Sequence, residues 1–406
     1  MQKARITLGH SDISVRPIGL GCMGMSQFYG DADDEESVAT IHAAIDAGID
    51  LFDTSDIYGA AGAVVSRRQR GFGHNEELLG RAVRGMRDQV VLATKFGARL
   101  APEGGVVFDG HPGYVTAACD ASLRRLGVDH IDLYYCHRHD TSVPIEDTVG
   151  AMAGLVTAGK VRAIGLSAVG PDVLHRASAV APLSALQSEY SLWAREVEQE
   201  VLPTCRELGI TFVPYSPLGR AALAGRFSTG TSLSADDFRS SLPKFEEENF
   251  AHNLRLIEGL KTFAGERGYA PGQVALAWLL AQPYDIAPIP GTKRAAYARQ
   301  NIAATSVPLS ADDLAFLADL FDPARVRGGQ YGTLNQRSQH RTPSERQEID
   351  RFPALTIGYG RRQEPRRRPG VARLKVSVCF RANVATPASK TGMGRRLSGT
   401  EERATP

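Results

Sequence analysis

Between Ile18 and about Leu320 the chain alternates eight short apolar runs with longer segments of helical period, and no other feature constrains its fold as tightly. The runs are IGLG (18–21), IDLFD (49–53), VVLATK (90–95), IDLYYCH (131–137), RAIGLS (162–167), SALQS (184–188), TFVPYS (211–216) and IAPIPG (286–291). Between them lie helix candidates. DDEESVATIHAAIDAG carries acids in its first turn and Gly48 at its end, and NEELLGRAVRG, GYVTAACDASLRRLG, PIEDTVGAMAGLVTAG and REVEQEVLPTCRELG repeat the pattern. Eight such units in about 300 residues fit a (β/α)8 TIM barrel better than a doubly wound sheet, which has fewer strands and a separate second domain. The opening ARITLGHSDISVRPIG reads as an N-terminal β-hairpin closing the barrel bottom. Residues 1–330 are therefore expected to form the barrel domain.

Two segments break the rhythm. Residues 60–73 (AAGAVVSRRQRGFG) are too long and too rich in Gly and Arg for an ordinary βα loop, and read as a flexible insertion beside the active face. Beyond about Arg325 periodicity stops. The net charge of +2 hides a tail, residues 331–406, with 16 Lys and Arg against 6 Asp and Glu, so the body is mildly acidic. That basic tail, with RRQEPRRRPG at its heart, reads as disordered, and without aromatic interleaving or a folded module it gives no reason to expect a nucleic-acid partner.

An apolar content of 43% with 23% charged residues excludes a wholly disordered or fibrous chain. No apolar run is long enough for a membrane helix, and MQKARITLGHSD lacks the apolar stretch of a secretory signal, so a cytoplasmic location is expected. Cys22, Cys119, Cys136, Cys205 and Cys379 are odd in number and never paired as C-x-x-C, which argues for free thiols. GLGCMG places Gly19, Gly21 and Gly24 in G-x-G-x-x-G spacing, but MSQFYG follows where the dinucleotide fingerprint needs a helix start. These glycines read instead as room at the barrel mouth, with Met23 and Gly24 bordering cofactor or substrate.

Barrel chemistry sits at the C-terminal ends of the strands. Asp53 ends the second run, Tyr58 follows it in DTSDIYG, Lys95 ends the third and His137 the fourth. Singly each has a bland explanation: a cap, a packed ring, an exposed cation, a hydrogen-bonded core histidine. Together they make a proton donor. A tyrosine with a pKa near 10 in water becomes usable at neutral pH beside a lysine cation, and a buried carboxylate keeps that lysine charged. His137 on a neighbouring strand could hold a carbonyl oxygen. His137 and His139 face opposite ways on a strand, so no metal site is expected.

With these residues stand GIDLFDTSDIYG, NEELLGRAV, VVLATKFG, LGVDHIDLYYCHRHD, PIEDTVGAMAGLVTAGKVRAIGLS, LQSEYSLW, FVPYSPLGRAALAG, PIPGTKR and QNIAA, and in this order they resemble an aldo-keto reductase over about residues 4–325. The resemblance is to the bacterial, fungal and plant subfamilies with auxin-induced-protein-like and pyridoxal-reductase-like members. It implies an enzyme that transfers hydride from nicotinamide C4 to an aldehyde or ketone, with Tyr58 as proton donor. Lys95 would lower the tyrosine pKa, Asp53 would pair with Lys95, and His137 would orient the carbonyl. It also implies cofactor contacts: Ser167 and Gln187 on the carboxamide, Tyr215 stacked on the ring, and Ser216, Leu218, Gly219 and Arg220 on the pyrophosphate. Gly291, Thr292, Lys293, Arg294, Gln300 and Asn301 would take the adenosine end. The adjacent cations Lys293 and Arg294 suit a 2′-phosphate, so NADPH is expected over NADH. Where the family has Asn or Glu after the serine, this chain has Ala168, one polar contact fewer.

A small-molecule carbonyl compound is the expected partner, and Phe28, Tyr29, Phe96 and Trp193 are candidate pocket walls. Two other readings accompany the reductase. One is a nicotinamide-binding sensor subunit resembling the potassium-channel β subunits. The other is an enzyme whose 60–73 insertion displaces Tyr58.

Overall fold

Seven of the apolar runs form one parallel sheet whose strands neighbour each other in chain order: Leu20–Gly21, Leu51–Asp53, Val91–Phe96, Ile131–Cys136, Val161–Ser167, Ala185–Glu189 and Thr211–Tyr215. The eighth run closes the ring. Ala287 and Ile289 donate to the carbonyls of Phe212 and Pro214 on the seventh strand, while Gly19 and Gly21 on the first donate to Pro288 and Pro290. The two prolines have no N–H to return to the first strand, so this segment makes isolated parallel bridges to both neighbours instead of a full ladder. The structure, a computed structural model, describes residues 4–60, 70–101, 105–228, 230–231, 233 and 237–329, all within one compact unit. The expected tail, 331–406, lies outside the described residues, as does most of the 60–73 insertion.

Helices Asp34–Asp46, His74–Ala82, Pro112–Leu126, Ile145–Thr157, Pro171–Ser178 and Val201–Glu207 alternate with the strands. Local sequence sets their ends. Asp33 caps the first by accepting from Glu36 N, and Gly127 ends the third in a left-handed conformation. REVEQEVLPTCRELG is only partly helical: Pro203 fits near a helix start, where its missing N–H has no intrahelical partner anyway, so the α-helix begins at Val201 after a short 3-10 turn. Glu247–Glu266 and Pro271–Leu280 follow the seventh strand, and Ala295–Ile302 and Ala311–Leu320 follow the eighth segment. Among the described residues no helix is long and apolar enough to cross a membrane.

Strand alternation divides the core into two shells. Leu51, Ala93, Leu133, Tyr135, Ala163, Ala185, Val213 and Ala287 fill the barrel interior. Phe52, Leu92, Phe96, Tyr134, Ile164, Leu186 and Phe212 face the helices. Below, Ile6–Thr7 pairs antiparallel with Ser14–Val15, and this hairpin inserts Ile6, Leu8, Ile13 and Val15 into the interior shell, the bottom plug expected from the sequence. Gly9 is needed there: its φ is +50°, and a Cβ would stand 2.6 Å from the Ser184 carbonyl oxygen.

Candidate active site

Inward parity places Asp53, Lys95, His137, Ser167, Gln187 and Tyr215 on the same surface of successive strands, at the open C-terminal end. Around them lies a cavity of about 630 Å³, a common size for a ligand site. Backbone strain marks the same place. The described non-glycine residues with left-handed φ are Phe28, Ala168, Ser216, Arg220 and Ala221; four of them line this cavity and Ala168 adjoins Ser167, which does. Such strain persists where surrounding structure imposes it, and it concentrates at functional sites.

At the cavity floor Lys95 Nζ donates to Asp53 Oδ1 at 2.6 Å, to the Thr54 carbonyl at 2.8 Å and to Tyr58 OH at 3.1 Å. All three ammonium hydrogens are thus placed. Gln187 Nε2 donates to the other Asp53 oxygen at 2.7 Å, so the buried carboxylate is held from both sides. The described residues around Tyr58 are held by backbone hydrogen bonds: Gly71 N donates to Gly59 O at 2.9 Å, Gly73 N to Asp56 O at 2.7 Å and Asn75 N to Tyr58 O at 3.3 Å.

Burial pushes the Tyr58 phenol above its ordinary value, and the Lys95 cation pulls against that. The net direction is upward because burial outweighs the lowering influence of Lys95, and Tyr58 keeps its proton. Burial, then the cations Arg138 and Lys95, hold His137 well below its ordinary value, so its imidazole is neutral. Ser55 Oγ lies 3.1 Å from His137 Nδ1, and the Tyr58 and His137 rings meet edge to face with centroids 5.9 Å apart.

Of the residues expected to hold a cofactor, Ser167, Gln187, Tyr215, Ser216, Leu218, Arg220, Gly291, Thr292, Lys293 and Arg294 line the cavity. Gln300 and Asn301 do not; Gln300 is exposed and Asn301 buried on the helix beyond. Gly219 lies under the cavity wall, where a Cβ would sit 2.5 Å from Trp193 Nε1. The lining fits a dinucleotide. Ser167 and Gln187, paired in register, offer a hydroxyl and an amide to a carboxamide at one end, and cations gather at the other. Those cations already have partners: Lys293 Nζ donates to the carbonyls of Tyr29, Gly30 and Asp31, and Arg294 pairs with Glu36. Arg220 forms a buried ion pair with Glu189 at 3.1 Å.

Two expected pocket walls are elsewhere. Phe96 follows inward-facing Lys95, so it points outward and stacks on Tyr134 with centroids 4.9 Å apart. Trp193 is buried edge-on against Phe245 at 5.5 Å and supports the Gly219 turn. Phe28 and Tyr29 do line the cavity, Phe28 packing on Phe238 at 4.8 Å. Sequence reasoning missed Ser55, Arg138 and a small β-hairpin after the third strand. Arg138 Nη1 donates to Ser167 Oγ at 3.0 Å, and its only signal in the sequence was its place beside His137. His139 lies toward the Val143 carbonyl, away from the His137 ring's partner Ser55. Cys22, Cys119, Cys136 and Cys205 are buried free thiols.

A family model described as Aldo/keto reductase family matches residues 17–321. The chain is similar to a solved glycerol dehydrogenase from Gluconobacter oxydans, at 29% identity over 80% of this chain and 97% of that one, with a TM-score of 0.72. It is also similar to an aldo/keto reductase from Klebsiella pneumoniae solved in complex with NADP and acetate, at 29% identity over 79% and 96%, with a TM-score of 0.62. A holo aldo-keto reductase from Bacillus halodurans matches at 25% identity over 82% and 99%, with a TM-score of 0.64.

Proposed function

The chain belongs to the aldo/keto reductase family and is an oxidoreductase, and from that premise we propose that it reduces an aldehyde or ketone to an alcohol with NADPH, Tyr58 giving the proton. The Lys95–Tyr58 contact carries this reading. An ammonium has hydrogens and no lone pair, so lysine donates and the phenol oxygen accepts. The phenolic hydrogen is left to point elsewhere, and Tyr58 borders the cavity.

Three hydrogen bonds donated by Lys95 fix the ammonium, and Asp53 keeps it charged by supplying the counter-charge in a buried site. In this reading Ser55 Oγ, 3.1 Å from Nδ1, donates to it, and the neutral His137 ring carries its hydrogen on Nε2. Tyr58 and His137 then present two donors to one carbonyl oxygen, stabilising the alkoxide charge that develops there. NADPH, when bound, would supply a hydride for the carbonyl carbon; Tyr58 gives its proton to the oxygen and regains one from solvent, so alcohol and NADP⁺ are the products. Ser167 and Gln187 would hold its carboxamide, Tyr215 its ring, Ser216, Leu218 and Arg220 its pyrophosphate, and Thr292, Lys293 and Arg294 its adenosine end. The Klebsiella relative was solved with NADP, which supports the choice of phosphorylated cofactor.

The test is NADPH oxidation by the purified full chain across a panel of aldehydes and ketones, with NADH in parallel. Carbonyl-dependent oxidation that prefers NADPH is expected. Tight NADPH binding with no oxidation on any carbonyl would overturn the reading in favour of a sensor.

A further inference from the structure

The connection after the third strand carries an antiparallel hairpin, Ala98–Leu100 with Val106–Phe108, in the register Ala98↔Phe108, Arg99↔Val107 and Leu100↔Val106. Directly opposed residues share a face, and so do residues two apart on one strand. One face is therefore Ala98, Leu100, Val106 and Phe108, without a single polar side chain. The other carries Arg99 and Val107.

The two faces have different neighbours. Arg99 pairs with Asp109 and lies 5.1 Å over the Tyr114 ring, outside the cavity. On the apolar face, Ala98, Val106 and Phe108 line the cavity that also holds Tyr58 and His137. Ala98 packs in a small cluster with Ile57, Tyr58, Ala60 and Met23, so apolar surface runs unbroken from the phenol to the hairpin. Yet Leu100, Val106 and Phe108 are 39%, 38% and 44% exposed. A lone two-stranded hairpin is marginal in water, and large apolar side chains clustered on one exposed face mark a surface that binds something.

Resting on the reductase reading above, we propose that the substrate is a carbonyl compound with an extended apolar body, its reacting end at Tyr58 and His137 and its tail along the Ala98, Val106 and Phe108 face. The cavity-side face of the hairpin offers neither hydroxyl nor charge to a polyol carbonyl, so this chain's preference diverges from that of a glycerol dehydrogenase.

The experiment is kcat/KM with NADPH for straight-chain aldehydes from propanal to decanal, beside glyceraldehyde. Each added methylene buried on the hairpin raises kcat/KM about fourfold until the face is covered, the equivalent of one CH2 leaving water. Val106→Ser/Phe108→Ser lowers the ratio of long-chain to short-chain kcat/KM by about tenfold or more. Val107→Ser, on the opposite face, keeps the ratio, which separates contact with substrate from stability of the hairpin. A flat series, or a preference for glyceraldehyde, with turnover intact overturns this proposal and leaves the reductase standing. No oxidation with any carbonyl overturns both.

Discussion

Replacing Lys95 by Met keeps the length of the side chain and removes its charge, which exposes what the buried pair contributes. The lysine and aspartate side chains are 1% and 5% accessible, and the variant leaves Asp53 with only the Gln187 donor. Breaking a buried ion pair from one side costs about 3–5 kcal/mol, because the remaining charge stays desolvated. That cost depends on pH, and its sign follows from Asp53. Burial already raises its folded pKa above the ordinary 3.8, and Lys95 is the largest influence opposing that rise. Without Lys95 the folded pKa climbs further. A carboxyl with a raised folded pKa binds its proton more tightly folded than unfolded, so stability falls as pH rises from the unfolded pKa through the folded one. The deficit of Lys95→Met relative to the parent therefore grows from mildly acidic to neutral pH, with a slope of at most about 1.4 kcal/mol per pH unit, then levels off. Urea midpoints followed by fluorescence of the two tryptophans, Trp193 and Trp278, both buried, measure it. The double variant Lys95→Met/Asp53→Asn removes the ionisable partner and should abolish the pH dependence. A deficit below about 1 kcal/mol, or one that does not change with pH, would refute the claim that Asp53 is a buried charge neutralised by Lys95.

Two further outcomes are expected. Ala168 sits at φ +52°, a conformation Asn tolerates far better than Ala, so Ala168→Asn should raise stability by about 0.5–1 kcal/mol in denaturant titrations and tighten NADPH binding in fluorescence titrations. Looser NADPH binding together with lower stability would count against this reading of the fifth strand end. Lys293→Met releases the carbonyls of Tyr29, Gly30 and Asp31, and stopped-flow measurement should show NADPH leaving about tenfold faster, the equivalent of one charge-assisted hydrogen bond. An unchanged dissociation rate would mean that the latch on this loop does not govern release.

Much of this architecture was legible because strand alternation and helix punctuation are local. All eight apolar runs fall on barrel segments, and the inward parity that brings Asp53, Lys95 and His137 together follows from residue spacing alone. The same parity, read one residue further, sends Phe96 outward into the helix shell. Trp193 could not be placed that way. A tight turn bridges Ser191 to Ala194, and Phe245, distant in sequence, supplies the surface on which the indole lands. The hairpin after the third strand did leave a signal, the Gly-Gly step between ARL and VVF, but its short apolar runs lacked the length of a barrel strand. Ser55 and Arg138 gain their roles only from neighbours on other strands, His137 Nδ1 and Ser167 Oγ, contacts that no spacing encodes.

The central claim is that Tyr58 gives the proton to the reduced carbonyl. Its most direct test is Tyr58→Phe, assayed for NADPH oxidation with the best aldehyde and for NADPH binding by fluorescence quenching. Loss of a general acid lowers rate by about 10² to 10⁴, so turnover should fall at least a hundredfold while cofactor binding persists. Turnover comparable to the parent chain would contradict the assignment and move the proton donor to another group in the cavity.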